Sequence, residues 1–292
     1  MVDFASIAGG SSQIPLSEFS SHSSALDTFY RIETGGIFVD RSGATGKTQI
    51  DASAATSGVS YKGGAASDFD AVPGDTVESW GFQGSVHSDT VNAGAGDDSI
   101  AAGEGNNYVL GGDGADSITA GSNADTVLGG SGNDQISGGN GANNLQGGDG
   151  DDTVLGGADD DRISGGAGAD SLWGGAGDDT LLGGDGDDRI IGGPGDDMLV
   201  GGGGSDTFAY AAGFGGEDTI VGFSYGQDFV AIKAGMGGLT SLSGFDGVTN
   251  KIEVVGTSVK VTIGTDTILI KGIAGASTGD LLSNPENWIR IV

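Results

Sequence analysis

Thirteen nine-residue repeats follow one another without a gap from Ala93 to Ala209, and they constrain the fold more than any other feature of the chain. Each repeat follows the pattern G-G-x-G-x-D-x-U-x, in which U is a large apolar residue. The second position is Gly and the eighth is apolar in all thirteen repeats, and the sixth is Asp in all but two, Asn107 and Asn143. A fixed period this short indicates a solenoid, in which each repeat is stable only when it is stacked on its neighbours.

The residue types give each position of the repeat a structural role. Gly at positions 1, 2 and 4 allows positive φ angles and a sharp turn, so backbone carbonyls can point into the turn. Positions 7 to 9 form a short strand whose eighth residue points inward and fills a narrow core. Two repeats make one coil of 18 residues, so the turns of odd and even repeats stack along opposite edges. We therefore expect an all-β solenoid over residues 84–209, beginning with a degraded repeat at Gly84–Asn92.

The sixth position places a carboxylate at the end of each turn, and stacked carboxylates repel one another unless a cation lies between them. Carboxylate and carbonyl oxygens are the ligands that Ca²⁺ prefers, so we expect several Ca²⁺ ions along the turns. The candidate carboxylate ligands are Asp98, Asp116, Asp125, Asp134, Asp152, Asp161, Asp170, Asp179, Asp188, Asp197 and Asp206. The candidate carbonyl ligands are Gly112, Gly114, Gly130, Gly132, Gly148, Gly150, Gly166, Gly168, Gly184 and Gly186.

These nonapeptides resemble those of the repeats-in-toxin (RTX) family, whose repeats form a parallel β-roll with calcium in both rows of turns. The segment Glu217–Asp228 is similar to the capping segment that follows the RTX repeats of serralysin-type proteases. The resemblance implies export by type I secretion, which reads an uncleaved C-terminal signal, and the segment Asn287–Val292 is compatible with such a signal. The stretch Met1–Gly10 has no basic start followed by an apolar core, so it does not read as a secretory signal peptide.

The calcium supply decides where such a chain is expected to fold. Extracellular calcium is sufficient for sites with dissociation constants of about 10⁻⁴ to 10⁻³ M, whereas cytosolic calcium is not. We therefore expect an extracellular or cell-surface protein that folds on Ca²⁺, with the surface of a virus particle as an alternative. No apolar run approaches the roughly 20 residues of a membrane helix, and no membrane span is expected.

The flanks of the repeats predict further β-structure. Residues 1–83 are expected to form a β-rich N-terminal cap or attachment domain, in which Thr28–Asp40 reads as a hairpin around Gly35–Gly36. Residues 210–292 are expected to form a C-terminal capping β domain, because an open roll end would expose unpaired strand edges. A short helical turn is expected at Leu281 and Leu282. The predicted antiparallel strands of the C-terminal domain are Lys251–Val255, Ser258–Ile263 and Thr267–Ile270.

The charge of the chain excludes some partners. Asp and Glu number 41 against 11 Lys and Arg, for a formal net charge of −30. Such a chain does not bind nucleic acid or an anionic membrane through its own charge. Without cysteine, no disulfide stabilises the fold and no thiol does chemistry. Because calcium would remove much of the self-repulsion, folding and metal binding are expected to be one event.

Two patterns distinguish the edges and faces of the predicted roll. Both Asn residues at position 6, Asn107 and Asn143, lie in even repeats, so we expect the odd edge to fill with calcium first and the sites near these residues to be weak or empty. Position 9 should point to solvent, yet Leu155, Trp173 and Ile191 occupy it in successive odd repeats. An exposed apolar ladder of this kind is typical of a contact face, for self-association or for another surface protein, although it can also stand without a partner.

Three classes of function are compatible with these features. The first is a non-enzymatic structural, surface or adhesive protein; the second is a module that binds a polysaccharide or cell-surface partner; the third is a small secreted RTX hydrolase or epimerase. The G-x-S-x-G match at Gly222–Gly226 lacks the flanking strand and helix of a nucleophile elbow, and the only histidines are His22 and His87. We therefore assign no catalytic residue and favour the first class.

Overall fold

The structure is a computed structural model. It describes the backbone of six short strands between residues 5 and 83, and then residues 86–211, 214–238, 241, 245, 250–274 and 278–292. The chain forms two compact units, Met1–Asp149 and Gly150–Val292. Both units are built almost entirely of β-strands in parallel register, as the repeats predict. In the described part of the chain, no helix is long and apolar enough to cross a membrane.

The first unit contains two parallel sheets, one from odd repeats and the other from even repeats. Strands pair in register at the 18-residue period, so that Ile118 lies opposite Ile100 on one side and Ile136 on the other. The strands of this unit are β1 (Ala5–Ile7), β2 (Thr28–Ile32), β3 (Phe38–Asp40), β4 (Thr48–Asp51), β5 (Ser60–Lys62), β6 (Gly81–Gln83), β7 (Thr90–Ala95), β8 (Ser99–Ala101), β9 (Tyr108–Asp113), β10 (Ser117–Gly121), β11 (Thr126–Ser131), β12 (Gln135–Asn140) and β13 (Asn144–Asp149).

The hairpin predicted at Thr28–Asp40 is wrong. Strand β2 pairs in parallel with β4, whereas β3 pairs in parallel with β5 in the other sheet. Successive strands of a solenoid lie in opposite sheets, so each finds its partner one coil later rather than across the nearest turn. Because β4 pairs with β6 and β6 with β8, and β5 pairs with β7, these N-terminal strands extend both sheets of the roll. Whether residues 1–83 serve as an attachment domain stays a prediction.

The second unit contains two parallel sheets and an antiparallel extension. Strands β23, β24 and β25 pair antiparallel, which confirms the three strands predicted after the repeats. The strands are β14 (Thr153–Ala158), β15 (Arg162–Ala167), β16 (Ser171–Ala176), β17 (Thr180–Asp185), β18 (Arg189–Ile191), β19 (Met198–Gly203), β20 (Thr207–Tyr210), β21 (Glu217–Val221), β22 (Phe229–Ile232), β23 (Asn250–Val255), β24 (Ser258–Ile263), β25 (Asp266–Lys271) and β26 (Ile289–Ile291). The predicted helical turn is α1 (Thr278–Ser283), and 3₁₀ turns span Met236–Gly238 and Pro285–Asn287.

Apolar side chains from both sheets fill the interior of each unit. Every position-8 residue from Ile100 to Phe208 is at most 4% exposed, as the alternation in the repeats predicts. At the C-terminal end of the second unit this core widens into an aromatic cluster. The Phe223 ring lies 6.1 Å from the rings of both Phe208 and Trp288, measured between ring centroids. These larger side chains close the apolar core where the repeats end.

Candidate metal sites

The position-6 side chains are buried and held in one orientation. From Asp98 to Asp206, each Asp or Asn at this position is at most 6% exposed. In most of these residues the Oδ1 atom accepts a hydrogen bond from the backbone N–H of the position-6 residue one coil earlier. The N–H of Asp116 donates to Oδ1 of Asp134 at 2.8 Å, and the N–H of Asp170 donates to Oδ1 of Asp188 at 2.9 Å. Where this bond is made, the backbone fixes one carboxylate oxygen and thereby orients the other.

The second carboxylate oxygen, Oδ2, is left without a protein partner at many of these positions. A buried carboxylate oxygen with no hydrogen-bond partner is costly unless a cation compensates it. Burial, with the charges of neighbouring carboxylates adding to it, raises the pKa of both Asp116 and Asp188 to about 7. Buried Oδ2 atoms without a hydrogen-bond partner occur in Asp116, Asp125, Asp170, Asp179, Asp188, Asp197, Asp206 and Asp218.

At several position-1 glycines, the Oδ2 atom of the position-6 residue and a carbonyl oxygen of the next coil both border the space that a side chain would occupy. A Cβ built on Gly183, at position 1, would overlap Oδ2 of Asp188 and lie 2.5 Å from the carbonyl oxygen of Gly201 in the next coil. Only a residue without a side chain leaves this cradle open. The same cradle is formed around Gly111, Gly129, Gly156, Gly165 and Gly174.

This geometry fits a hard cation. Ca²⁺ takes carboxylate and carbonyl oxygens at about 2.3 to 2.6 Å, and its coordination geometry is flexible. No cluster of three or more Asp, Glu, His or Cys side chains that could hold a metal occurs among the described residues. A cation at one of these turns would therefore be held by one carboxylate supplemented by backbone carbonyls.

Comparison with known families agrees with this geometry. A family model described as the RTX calcium-binding nonapeptide repeat matches the chain four times, at residues 83–118, 103–136, 137–172 and 173–208. This chain carries RTX calcium-binding repeats. The RTX repeats bind several Ca²⁺ ions, and repeats of this type are characteristic of secreted proteins.

No curated protein matches the chain over its sequence. Among solved structures, the chain is similar to the extracellular lipase LipA from Serratia marcescens, with 16% sequence identity and a TM-score of 0.38. The match covers 75% of this chain and 40% of the lipase chain, so this chain spans well under half the length of that protein.

The glycines at positions 2 and 4 of the RTX repeats lie where coils approach most closely. Gly184 and Gly186 have φ angles of 128° and 129°, and a Cβ on either would overlap the carbonyl oxygen of Gly166 or Gly168 in the preceding coil. Side chains other than hydrogen are therefore excluded at both positions. The function of these carbonyls as calcium ligands stays a prediction. The position-1 carbonyls, such as that of Gly201, were not identified from the sequence.

The row of position-6 carboxylates also extends past the last RTX repeat. Oδ1 of Asp218 accepts the N–H of Asp197 at 3.0 Å, and Oδ1 of Asp228 accepts the N–H of Asp206 at 3.1 Å. These spacings are 21 and 22 residues instead of 18, so a search at fixed period misses both side chains. The available signal is an Asp two residues before a buried apolar residue, Ile220 or Val230.

Asn107 shows how an even RTX repeat departs from the pattern. Its Oδ1 accepts the N–H of Asp89 at 2.9 Å, as an aspartate in this position does. Its Nδ2 donates to the carbonyl oxygen of Ala120 at 3.4 Å, and Ala120 occupies position 1 of the next coil on that edge. The Asn107 amide thus bonds directly to the Ala120 carbonyl, whereas a carboxylate would need a cation between the two groups. This contact is compatible with the weak site expected at Asn107.

Proposed function

We propose that this chain is a non-enzymatic structural or surface protein whose RTX roll folds as Ca²⁺ loads its turns outside the cell. The observation that supports it is the repeated cradle, in which a buried, unpartnered Oδ2 and a carbonyl oxygen face one space left by a missing side chain. Each loaded cation offsets part of the net charge of −30. Metal binding and folding are then coupled, because the cradle exists only when coils are stacked.

The proposed ligands are the position-6 carboxylates named above, together with turn carbonyls. At Asp188, the carboxylate is held by the N–H of Asp170 and its Oδ2 is presented beside the carbonyl of Gly201. We extend the carbonyl set to position 1, because these oxygens and the Oδ2 atoms border the same space at the position-1 glycines. The glycine carbonyls of positions 2 and 4 remain candidates for the rest of the coordination shell, which needs six to eight oxygens for Ca²⁺.

An exposed face of the second unit supports a structural function. Leu155 pairs with Trp173 across β14 and β16, and Trp173 pairs with Ile191 across β16 and β18, so the three side chains lie side by side. Leu155 is 42% exposed, and the other two are partly exposed. We assign this ladder as the contact face for a second copy of the chain, because contiguous apolar patches on a soluble protein commonly mark interaction sites.

The deciding measurement is absolute mass by light scattering after size exclusion, combined with circular dichroism, in millimolar calcium and in chelator. We expect β-structure and multimers in calcium, and in chelator a more expanded monomer that unfolds at much lower denaturant concentration. Trp173→Ser should reduce the multimer in calcium, and Leu182→Ser, a 42% exposed side chain on the other sheet, should not. A chain whose free energy of unfolding is the same in chelator and in calcium would contradict calcium-coupled folding. Unchanged mass for Trp173→Ser would contradict the contact face.

A further inference from the structure

Strand β23 lies at an open edge of its sheet. It pairs antiparallel with β24 from Asn250 to Val255, and β24 pairs in turn with β25. Among the strands that the structure describes, β23 has no partner on its other side. An edge strand presents backbone N–H and C=O groups to any extended chain that approaches, and proteins commonly protect such an edge with proline or charged side chains. Strand β23 contains no proline, and its two charged residues, Lys251 and Glu253, have opposite signs.

The apolar face of the sheet is uncovered along this edge. Residues directly opposite each other in paired strands lie on the same face, and Ile252 is opposite Val261 while Val254 is opposite Val259. Val259 and Val261 are fully buried, whereas Val254 is 42% exposed and Ile252 is partly exposed. The helical turn α1 lies beside both strands but leaves Val254 in solvent. The apolar face therefore continues past the side chains that cover β24.

The opposite face of β23 carries the two charges. Nζ of Lys251 lies 3.4 Å from Oε2 of Glu253, and both side chains are in contact with solvent. Glu253 is opposite Lys260 of β24, and Lys260 forms a second ion pair, of 3.6 Å, with Glu217. A strand in which a lysine and a glutamate are separated by one residue is complementary in charge to an antiparallel copy of itself.

The charges and the apolar face together select one register for such a pair. If Ile252 is opposite Ile252 of the second copy, Lys251 of each copy is opposite Glu253 of the other, and the two apolar faces coincide. A pair centred on Lys251 or on Glu253 would bring like charges opposite each other, which destabilises a sheet. A pair centred between two residues would place the apolar face of one copy beside the charged face of the other. The register centred on Ile252 is therefore favoured.

The charge balance of this part of the chain also permits a second copy to approach. The whole chain has a formal net charge of −30, whereas residues 250–292 carry four acidic and four basic residues. Like-charged surfaces repel, so two copies meet the least electrostatic resistance where the net charge is zero.

We propose that β23 is a self-association edge, which pairs antiparallel with β23 of a second copy of the chain in the register centred on Ile252. The backbone groups of the edge, the open apolar face and the Lys251–Glu253 pair are then all matched by the same elements of the second copy. This contact is separate from the ladder of Leu155, Trp173 and Ile191, which lies in the other sheet, and it does not depend on the calcium cradles.

The test uses disulfide formation between full-length copies in millimolar calcium. The chain has no cysteine, so one introduced cysteine can form a disulfide only with the same residue of a second copy. Ile252→Cys places the two Cβ atoms about 4.5 to 5.5 Å apart in the proposed register. Val254→Cys is the control, because it lies on the same face and is more exposed, yet residue 254 of the second copy would be about 14 Å away.

Under a mild oxidant, Ile252→Cys should form the disulfide dimer at least roughly tenfold faster than Val254→Cys, because a disulfide needs its two residues directly adjacent. Lys251→Glu or Glu253→Lys, each added to Ile252→Cys, opposes like charges and should slow the reaction by roughly tenfold. Both charge changes in one chain should restore the rate, and so should an equal mixture of the two single-charge variants.

Cross-linking of Val254→Cys that is as fast as that of Ile252→Cys, or faster, overturns the proposal. Single-charge variants that cross-link at the rate of Ile252→Cys alone overturn it as well. Should Ile252→Cys not fold in calcium, the charge variants are compared by sedimentation velocity with Trp173→Ser in every chain, which removes the contact through the ladder. A dimer that is lost in both single-charge variants and regained in their mixture supports the edge contact; masses that do not change among these samples overturn it.

Discussion

Replacing Gly183 with Ala tests the cation cradle separately from the other properties of the roll. The φ angle of Gly183 does not lie in the left-handed region, so the backbone accepts alanine without strain. The added Cβ would overlap Oδ2 of Asp188 and lie 2.5 Å from the carbonyl oxygen of Gly201, so it would crowd the space between the two proposed calcium ligands. Gly203→Ala is the matched control, because its φ angle is equally permissive and its Cβ would meet only Oδ1 of Asp185, at 3.4 Å.

The size of the effect follows from binding linkage. At about 10 mM Ca²⁺, which is roughly 100 times a dissociation constant of about 10⁻⁴ M, one site adds about 2.7 kcal/mol to the free energy of unfolding. Gly183→Ala should lose about this amount in calcium. In chelator the loss of stability should be smaller, because no cation is displaced. Alanine also lowers the conformational entropy of the unfolded chain, which offsets about 0.4 to 1 kcal/mol of the loss. Gly203→Ala should be neutral or slightly stabilising in both conditions.

The assay is denaturant unfolding at fixed calcium and in chelator, with calcium binding counted by calorimetric titration. Gly183→Ala should bind one Ca²⁺ ion fewer than the wild-type chain, and Gly203→Ala the same number. Equal calcium numbers and equal calcium-dependent stabilisation in the two variants would refute the assignment of the cradle. A loss of stability that is the same in calcium and in chelator would indicate a packing defect and would also count against it.

Two further predictions concern the carboxylates. Asp188→Asn should retain the hydrogen bond from the N–H of Asp170, and its Nδ2 should donate to the carbonyl of Gly201 as Asn107 donates to Ala120. Calorimetric titration should then show one Ca²⁺ ion fewer than in the wild-type chain. Circular dichroism in chelator should show more residual β-structure than in the wild-type chain. Burial raises the pKa of Asp188 and Asp197 to about 7, compared with about 3.9 in an unfolded chain, so the folded calcium-free state binds more protons between these values. The calcium-free protein should therefore be most stable near the lower of these two pKa values and should lose that stability as the pH rises through about 7. Chelated protein whose circular dichroism is the same at about pH 5 and about pH 8 would contradict this prediction.

The features that the sequence predicted are those set by local periodicity. The 18-residue register that places Ile118 between Ile100 and Ile136 follows from two nine-residue repeats, and the apolar eighth position decides which side chain faces the core. The antiparallel strands β23 to β25 were also predictable, because their alternation is visible within each strand. Position 6 was identified as the carboxylate row for the same reason.

The features that the sequence did not predict depend on contacts between coils. Gly35–Gly36 suits a hairpin and a solenoid turn equally well, and only the pairing of β2 with β4 distinguishes the two. The carbonyl of Gly201 became a candidate ligand only when its position beside Asp188 was known. Asp218 and Asp228 continue the carboxylate row at spacings of 21 and 22 residues, so an insertion hides them from any search at fixed period.

The first repeats carry a natural counterpart of the Gly183→Ala change. Position 1 is Ala93, Ala102 or Ala120 in the first, second and fourth repeats, so a methyl group occupies the position that glycine leaves open in the other repeats. Ala102 and Ala120 are fully buried, and Oδ2 of Asp125, in the repeat of Ala120, is buried without a hydrogen-bond partner. We infer that these repeats bind calcium weakly because the cradle is filled, in addition to the effect of Asn107.

Ala120→Gly should therefore create a site. Removing the methyl group opens the space beside Asp125, and calorimetric titration should show one additional Ca²⁺ ion or one that binds more tightly. Ala102→Gly is the control, because its repeat carries Asn107 and offers no carboxylate to the opened space. Each glycine should cost roughly 0.5 to 1 kcal/mol in chelator, since it enlarges the conformational freedom of the unfolded chain. In calcium, binding at the new site should restore the free energy of unfolding that Ala120→Gly loses in chelator, whereas Ala102→Gly should remain less stable than the wild-type chain. If the two variants respond to calcium alike, the cradle at position 1 does not control binding, and the carboxylate row alone must account for the sites.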